Sequence, residues 1–337
     1  MKKTALITGV YGQDGSYLSK LLLDKGYSVT GCARYISKRD TSNHDFVGIK
    51  GHKDLQIIEL DIADQYSVFK VIFEGQYDEV YNLAANSFVP SSKDSPEDVF
   101  RVNALGVFNL LRAIQLFSKN SRFYQASTSE MFGNAEMPEL GYDEQSRMIP
   151  ESLYGSTKLF AHSMVNNFRD DIFAVSGILF NHESPIRGER FLTRKVTKWI
   201  GQYCRNKSIA PLELGNSYPE RDWGFSGDYV EAMWLMLQQD DPEDFVIATN
   251  QAYSVRDFVE QALISADIIP WVHDDCIVDG VERKTIINFQ QSGFVRNYEV
   301  DRLKGNASKA KEKLGWTPKH DLRMLIEMMI QKDLKEA

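Results

Sequence analysis

The chain has 337 residues, 43% of them apolar and 12% aromatic, enough to bury a sizeable core in one large domain or two smaller ones. Its 39 basic residues against 47 acidic ones leave a net charge of −8, which argues against a nucleic-acid or anionic-membrane binder and requires that any phosphate be held by a local site. Three scattered cysteines, Cys32, Cys204 and Cys276, suggest neither a disulfide framework nor a zinc site and fit a reducing compartment.

In chain order, the first predicted element is a strand over TALIT (4–8), followed by TGVYGQDGSYL, which sets Gly9, Gly12 and Gly15 between that strand and a helix. Glycines in this context let the backbone approach a pyrophosphate at a helix N-terminus; a plain strand-to-helix turn is the alternative. Gly9, Gly12 and Asp14 also interrupt the apolar run before a signal-peptide core or a membrane span is reached, so a cytoplasmic location is expected.

The second strand, SVTGCA (28–33), ends at Arg34, with Tyr35, Lys38 and Arg39 beyond it. Enzymes selecting NAD commonly offer an acid here to the ribose 2′-hydroxyl, whereas a cation suits a 2′-phosphate, so NADP is expected. A solvated basic loop is the alternative. After LQIIEL (55–60), Asp61 is placed either to reach an adenine or to cap the following helix.

Further strands are predicted at EVYNLA (79–84), RFYQA (122–126) and FAVSGILF (173–180), with helical stretches such as VNALGVFNLLRAIQLF between them. This alternation implies an α/β fold, a Rossmann-like doubly wound parallel sheet covered on both faces. The expected organisation is an NADP-binding domain over 1–180, with strand and helix returns near 212–250, and a smaller α/β substrate lobe mainly over 181–337. There, RFLTRKV begins a helix, a Pro/Gly/Asn-rich passage occupies 211–227, and LRMLIEMMIQKDL closes the chain. The stripe in YVEAMWLML reads as core, not as a cofactor box.

The chemistry concentrates in QASTSEMFG (125–133), where Glu130 follows Ser127, Thr128 and Ser129 at a strand end. Such polar groups in an apolar setting cost stability unless they are bonded. Further on, LYGSTKLFAH puts Tyr154 and Lys158 four apart, on one helix face. A nearby cation and a positive nicotinamide ring would both lower the phenol pKa and let Tyr154 act as acid or base near neutral pH. The structural alternatives are a capping role for Glu130 and a hydroxyl that bonds only backbone for Thr128. No ligand-spaced partner accompanies His182, so no metal is expected.

These motifs resemble the extended branch of the short-chain dehydrogenase/reductases and, more closely, the GDP-mannose 4,6-dehydratase family. The resemblance runs over nearly the whole length, through YNLAANSFV, FYQASTSEMFG, YGSTK, GILFNHESPIRG, FLTRKV, RDWGFSGDYVEAMWLMLQ and GNASKAKEKLGWTP. It implies that Tyr154 takes the O4 proton of a hexose while C4 is oxidised, and that Thr128 joins Tyr154 on the new ketone. Glu130 then removes the C5 proton and helps the C6 hydroxyl leave, while Lys158 holds the nicotinamide ribose and depresses the Tyr154 pKa. Because the cofactor is regenerated in each turnover, NADP is expected to stay bound.

The implied cofactor set is Gly9, Gly12, Gln13, Asp14, Gly15, Arg34, Asp61, Ile62, Leu83 and Ala85, together with Tyr154 and Lys158. For GDP-mannose or a related GDP-sugar, the cations Lys195, Arg221 and Arg296 are candidates for the second pyrophosphate. Glu299 is a candidate for the nucleoside ribose, Asn181 for phosphate and Ser87 for sugar. Lys195 has a solvated helix charge as its alternative, and Arg221 a structural pair with Asp222. The resemblance also implies a homodimer or homotetramer.

Four departures stand out. Tyr35 replaces a second arginine beside Arg34, and Asn86 replaces a glutamine. Glu151 stands where the family has an arginine, and residues 296–300 read Arg-Asn-Tyr-Glu-Val. They keep open a related substrate such as GDP-manno-heptose. A sugar-nucleotide 4-epimerase has no use for a base at C5, and a non-catalytic NADP sensor has no use for Thr128, Glu130, Tyr154 and Lys158 together.

Overall fold

The computed structural model describes residues 2–38, 40–88, 94–290 and 300–336. Along the first half run β1 (Thr4–Thr8), α1 (Gln13–Asp24), β2 (Ser28–Ala33), α2 (Ser42–Phe46), β3 (Leu55–Glu59), α3 (Gln65–Gly75) and β4 (Glu79–Asn82). Then come α4 (Pro96–Phe100), α5 (Gly106–Phe117), β5 (Arg122–Thr128), α6 (Leu153–Phe168) and β6 (Ala174–Leu179).

These strands and a later one, β11 (Phe245–Ile247), form a seven-stranded sheet, parallel in every pairing, in the order β11-β6-β5-β4-β1-β2-β3. β1 shows why its run is apolar throughout. Ala5 and Ile7 face one core with Leu18 and Leu22 of α1, while Leu6 faces the other with Val80, Leu110 and Leu111. The strand order reverses between β4 and β1, so the crevice for a ligand opens at their carboxyl ends.

The run Pro96–Phe117 has the length and hydropathy of a membrane span, yet Val107, Leu110, Leu111 and Ile114 are buried in the core. Between α4 and α5 it widens into a π-turn, Arg101–Leu105.

The second half runs β7 (Asn181–Glu183), α7 (Leu192–Arg205), β8 (Leu212–Glu213), β9 (Glu220–Arg221), β10 (Trp223–Phe225), α8 (Ser226–Met236) and β11 (Phe245–Ile247). It ends with β12 (Tyr253–Ser254), α9 (Val255–Ser265), β13 (Pro270–Val272), β14 (Cys276–Asp279), β15 (Lys284–Asn288), β16 (Arg302–Leu303), α10 (Ser308–Leu314) and α11 (Leu322–Glu336). α8 lies on α1, and Tyr229, Val230, Met233 and Met236 of the YVEAMWLML stripe are core. A separate core joins α7, α9 and α11 to the sheet β13-β14-β15-β8.

The Pro/Gly/Asn-rich passage 211–227 contributes β8, β9 and β10, strands of two or three residues that are too short to display any alternation in the sequence. β5 also runs two residues beyond RFYQA, to Thr128.

Candidate active site

The turn after β1 is built on glycine for steric reasons. Gly9 has φ +69°, and a Cβ there would lie 3.0 Å from the backbone of Leu83 and Ala84 at the end of β4. A Cβ on Gly15 would lie 2.4 Å from the Gly9 carbonyl oxygen, so α1 can start close to the turn only with glycine at that position. Gly12 precedes α1 and donates its N–H to the Gly9 carbonyl at 2.9 Å. The first N–H groups of α1 have no partner within the helix and present positive dipole ends.

The cavity over this turn is walled by Arg34, Asp61 and Ile62 at the β2 and β3 ends and by Leu83, Ala85 and Ser87 beyond β4. Of the two alternatives read from the sequence for Asp61, the structure has it line the cavity, while its Oδ1 accepts the Ala63 N–H at 3.0 Å in the turn before α3. The N-cap of α3 itself is Asp64. Arg34 stands at the cavity wall with Nη1 3.4 Å from Asp98, whose other oxygen accepts from Asn86 Nδ2 at 2.8 Å. The side chain of Lys38 and all of Arg39, the other cations of this loop, lie outside the described residues.

Gln13 and Asp14 line the same cavity, but their side chains are engaged elsewhere. Gln13 accepts from the Ser184 hydroxyl at 2.7 Å and donates to the His182 carbonyl at 3.1 Å. Asp14 takes the Ser226 hydroxyl at 2.8 Å on one oxygen and His182 Nε2 at 2.8 Å on the other. Burial alone would raise the Asp14 pKa, but the charge of His182 and these hydrogen bonds outweigh it and hold Asp14 at about 2. As cofactor contacts these two residues therefore offer backbone, and their side chains tie α1 to β7 and α8.

The candidate catalytic residues meet at the corner of β5 and α6. Thr128 ends β5, and its hydroxyl accepts the Glu130 N–H at 3.3 Å, opening a 3₁₀ turn over Ser129–Met131. The cap of that turn is thus Thr128, and among the described residues no hydrogen bond or ion pair engages the Glu130 carboxylate, which lines a pocket with Thr128, Tyr154 and Lys158. α6 begins against this turn: Ser152 caps it by accepting the Gly155 N–H at 3.0 Å, and a Cβ on Gly155 would lie 2.8 Å from the Glu130 carbonyl oxygen. One helical turn later Lys158, 3% exposed, donates to the Ala126 carbonyl at 2.5 Å.

The electrostatics correct one expectation. Burial pushes Tyr154 up to about 12 and the charge of Glu130 adds to that, while a hydrogen bond from the Thr128 side chain works the other way. The charge of Arg187 also works the other way, and the Lys158 pKa is itself pushed down to about 8 by burial. The chain's own groups therefore keep the phenol protonated at rest, and lowering its pKa falls to whatever charge is brought into the pocket.

Of the residues assigned to a sugar nucleotide, Ser87 borders both the glycine-turn cavity and the catalytic pocket, and Asn181 lines the catalytic pocket from β7. Lys195 and Arg221 do not line that pocket: Lys195 donates to the Glu213 carbonyl at 2.8 Å, and Arg221 to that of Glu220 at 2.9 Å. Arg296 and Glu299 lie outside the described residues. Among the described residues, no three of His, Cys, Asp or Glu are grouped for a metal.

Two residues were missed in the sequence. Arg187 borders both cavities, with its guanidinium 3.5 Å from the Phe191 ring centre and Nε 3.0 Å from Glu183. Its signal was its place in NHESPIRG, where attention fell on Asn181 and His182. Asn103, on the π-turn, accepts the Asn86 N–H at 2.9 Å and so fixes the 83–87 segment between the two cavities.

A parallel sheet with its glycine turn at the switch point, joined to a Tyr-x-x-x-Lys helix beside a hydroxyl-rich strand end, defines a Rossmann-like protein of the short-chain dehydrogenase/reductase type. Its fold is that of UDP-glucose 4-epimerase from Thermotoga maritima, solved with UDP-glucose, with a TM-score of 0.82 at 21% identity over 99% of each chain. It is also that of dTDP-glucose 4,6-dehydratase from Bacillus anthracis, solved with NAD, with a TM-score of 0.81 at 19% identity over 99% of this chain and 97% of the other. In sequence, the family described as GDP-mannose 4,6 dehydratase matches residues 6–329. The Drosophila melanogaster protein of that name is 42% identical over 99% of this chain and 86% of its own length. The chain belongs to the GDP-mannose 4,6-dehydratase family.

Proposed function

We propose that this protein is a GDP-mannose 4,6-dehydratase that converts GDP-α-D-mannose to GDP-4-keto-6-deoxy-D-mannose with NADP as a resident cofactor. The observation that carries the reading is Glu130, an unengaged carboxylate in the same pocket as Tyr154, Thr128 and Lys158. A 4-epimerase needs only oxidation at C4 and has no task for it. The C5 proton of a hexose is not acidic until C4 is a ketone, and a base beside the Tyr-Lys pair then has one.

The glycine cradle and the N-terminus of α1 fit a pyrophosphate. Arg34, a cation where NAD enzymes commonly place an acid, supports NADP over NAD. When bound, NADP supplies the hydride acceptor for C4 and the donor for C6. Tyr154 removes the O4 proton, its pKa lowered by the positive charge then present beside it, and Thr128 and Tyr154 hold the C4 oxygen. Glu130 takes the C5 proton and protonates the departing C6 hydroxyl, and a proton from solvent is delivered to C5 as hydride enters C6. Lys158 orients the ribose next to Tyr154, and its place on the Ala126 carbonyl supports that role.

Asn181 and Ser87 are assigned to the sugar-phosphate end, and Lys195, Arg221, Arg296 and Glu299 to the nucleotide. A related GDP-sugar remains the second substrate, on the strength of Asn86 and Glu151. We place the protein in the cytoplasm as a homodimer or homotetramer. The exposed Phe100, Leu105, Leu153 and Phe160 along α4–α6 support self-association, which light scattering tests directly.

The function is tested by incubating the purified chain with GDP-mannose and substoichiometric NADP and resolving the nucleotide sugars by NMR. A 4-keto-6-deoxy product with no net reduction of NADP is expected. The C4 epimer, or no conversion, overturns the reading.

A further inference from the structure

His182 stands between two oxygens that can only accept. Its Nδ1 is 2.7 Å from the Phe180 carbonyl and its Nε2 is 2.8 Å from Asp14 Oδ2. A carbonyl and an ionised carboxylate offer no proton, so satisfying both contacts requires a hydrogen on each ring nitrogen, which is the imidazolium. The Tyr229 ring stacks on it with centroids 4.6 Å apart, a favourable seat for a cation.

Asp14 occupies the first turn of α1, where an acid is stabilised by the helix dipole. The same turn is where a dinucleotide pyrophosphate would bind, and Asp14 lines that cavity. Left as a bare carboxylate it would repel the ligand the turn is shaped to attract. Two cations act on Asp14, His182 and Arg187. Arg187 is itself paired with Glu183 at 3.0 Å, and the other Glu183 contact, at 2.7 Å on the same oxygen, is the Thr193 hydroxyl. That leaves His182 as the charge matched to Asp14.

We infer that His182 is a positioning residue of the dinucleotide cavity, whose imidazolium cancels the Asp14 charge in the first turn of α1 and so admits a pyrophosphate there. The inference rests on the proposed dinucleotide cofactor. The electrostatics of the pair agree with it: burial disfavours both charges, yet each holds the other ionised, with Asp14 depressed to about 2 and His182 raised above its ordinary value. The hydrogen bonds from Ser226 and Gln13 to Asp14 are neutral and orient the carboxylate without offsetting its charge.

The test is titration calorimetry of NADP into the cofactor-stripped chain at neutral pH and low salt, for wild type, His182→Gln, Asp14→Asn and the double variant. Glutamine keeps a donor toward Asp14 but no charge. His182→Gln should weaken NADP roughly 3- to 30-fold, whereas Asp14→Asn, which also frees the buried His182 to shed its proton, and the double variant should both stay within about threefold of wild type. A purely structural histidine would instead leave the double variant at least as weak as His182→Gln, which overturns the inference, as does His182→Gln binding like wild type. If His182→Gln does not fold, the wild-type ring decides: nitrogen NMR should show both ring nitrogens of His182 protonated at neutral pH, and a neutral ring overturns the inference. A wild-type chain that binds neither NADP nor NAD would overturn the cofactor reading itself, and this inference with it.

Discussion

Two buried or half-buried lysines, each donating to one backbone carbonyl, sit in different parts of this molecule and show how its two halves differ. Lys158 lies on the 16-residue helix α6 against the seven-stranded sheet, where burial pushes its pKa down to about 8. Lys195 lies on α7 in the C-terminal lobe, half-buried, and the carbonyl it meets belongs to β8, a strand of two residues. The first region holds its groups on long elements locked by core packing, which suits chemistry that tolerates little displacement. In the second, short strands and half-exposed cations suit recognition that varies from one substrate to another.

The sharpest test of the contrast is Glu130→Gln, which should leave cofactor binding intact and lower turnover roughly 10²- to 10⁴-fold. Near-normal turnover would move the base to another residue. Next is Lys158→Met, which should abolish turnover yet stabilise the fold by about 2 kcal/mol at pH 7, because a buried ammonium is removed. The sign follows from its depressed pKa: below pH 8 Lys158 is charged in both the folded and unfolded chain and the burial penalty is full. Between about pH 8 and its ordinary value of 10.5 the folded chain sheds the proton first, so wild-type stability rises with pH and the gap to Lys158→Met narrows. Thermal melts across that range check it, and a gap independent of pH would contradict it.

Smaller effects are expected at the rims. Arg34→Ala should weaken NADP about tenfold and NAD far less, by calorimetry, because one charge-assisted phosphate contact is lost. Equal losses would make Arg34 a loop charge, as its ion pair with Asp98 already allows. Arg221→Ala should raise KM for the sugar nucleotide several-fold with kcat little changed, since Arg221 does not line the catalytic pocket. A fall in kcat alone would place it nearer the chemistry than the lobe does.

What was legible in the sequence follows the same division. β1, β4, β5 and β6 lie deep in a sheet covered on both faces, so their apolar runs stand out, and the Gly9-Gly12-Gly15 turn and the Tyr154–Lys158 spacing are local patterns. Thr128 and Glu130 were readable because a strand end places polar residues where none is needed for packing. The side-chain roles of Gln13 and Asp14 were not readable: their partners His182, Ser184 and Ser226 are far along the chain, and only the fold brings them together. Tyr154 was expected to be lowered by a cation, but spacing alone does not report that burial and Glu130 push the other way. Arg187 and Asn103 act through the junction of two cavities, which has no counterpart in a linear pattern.

The central claim, a base acting at C5 within a cycle that regenerates its cofactor, is tested most directly by running the reaction in heavy water. Mass spectrometry of GDP-mannose incubated with the protein and catalytic NADP should show a product that has lost one water and carries one solvent deuteron, located at C5 by NMR. A dehydrated product without that deuteron, or GDP-mannose recovered unchanged from protein with NADP bound, would contradict the account.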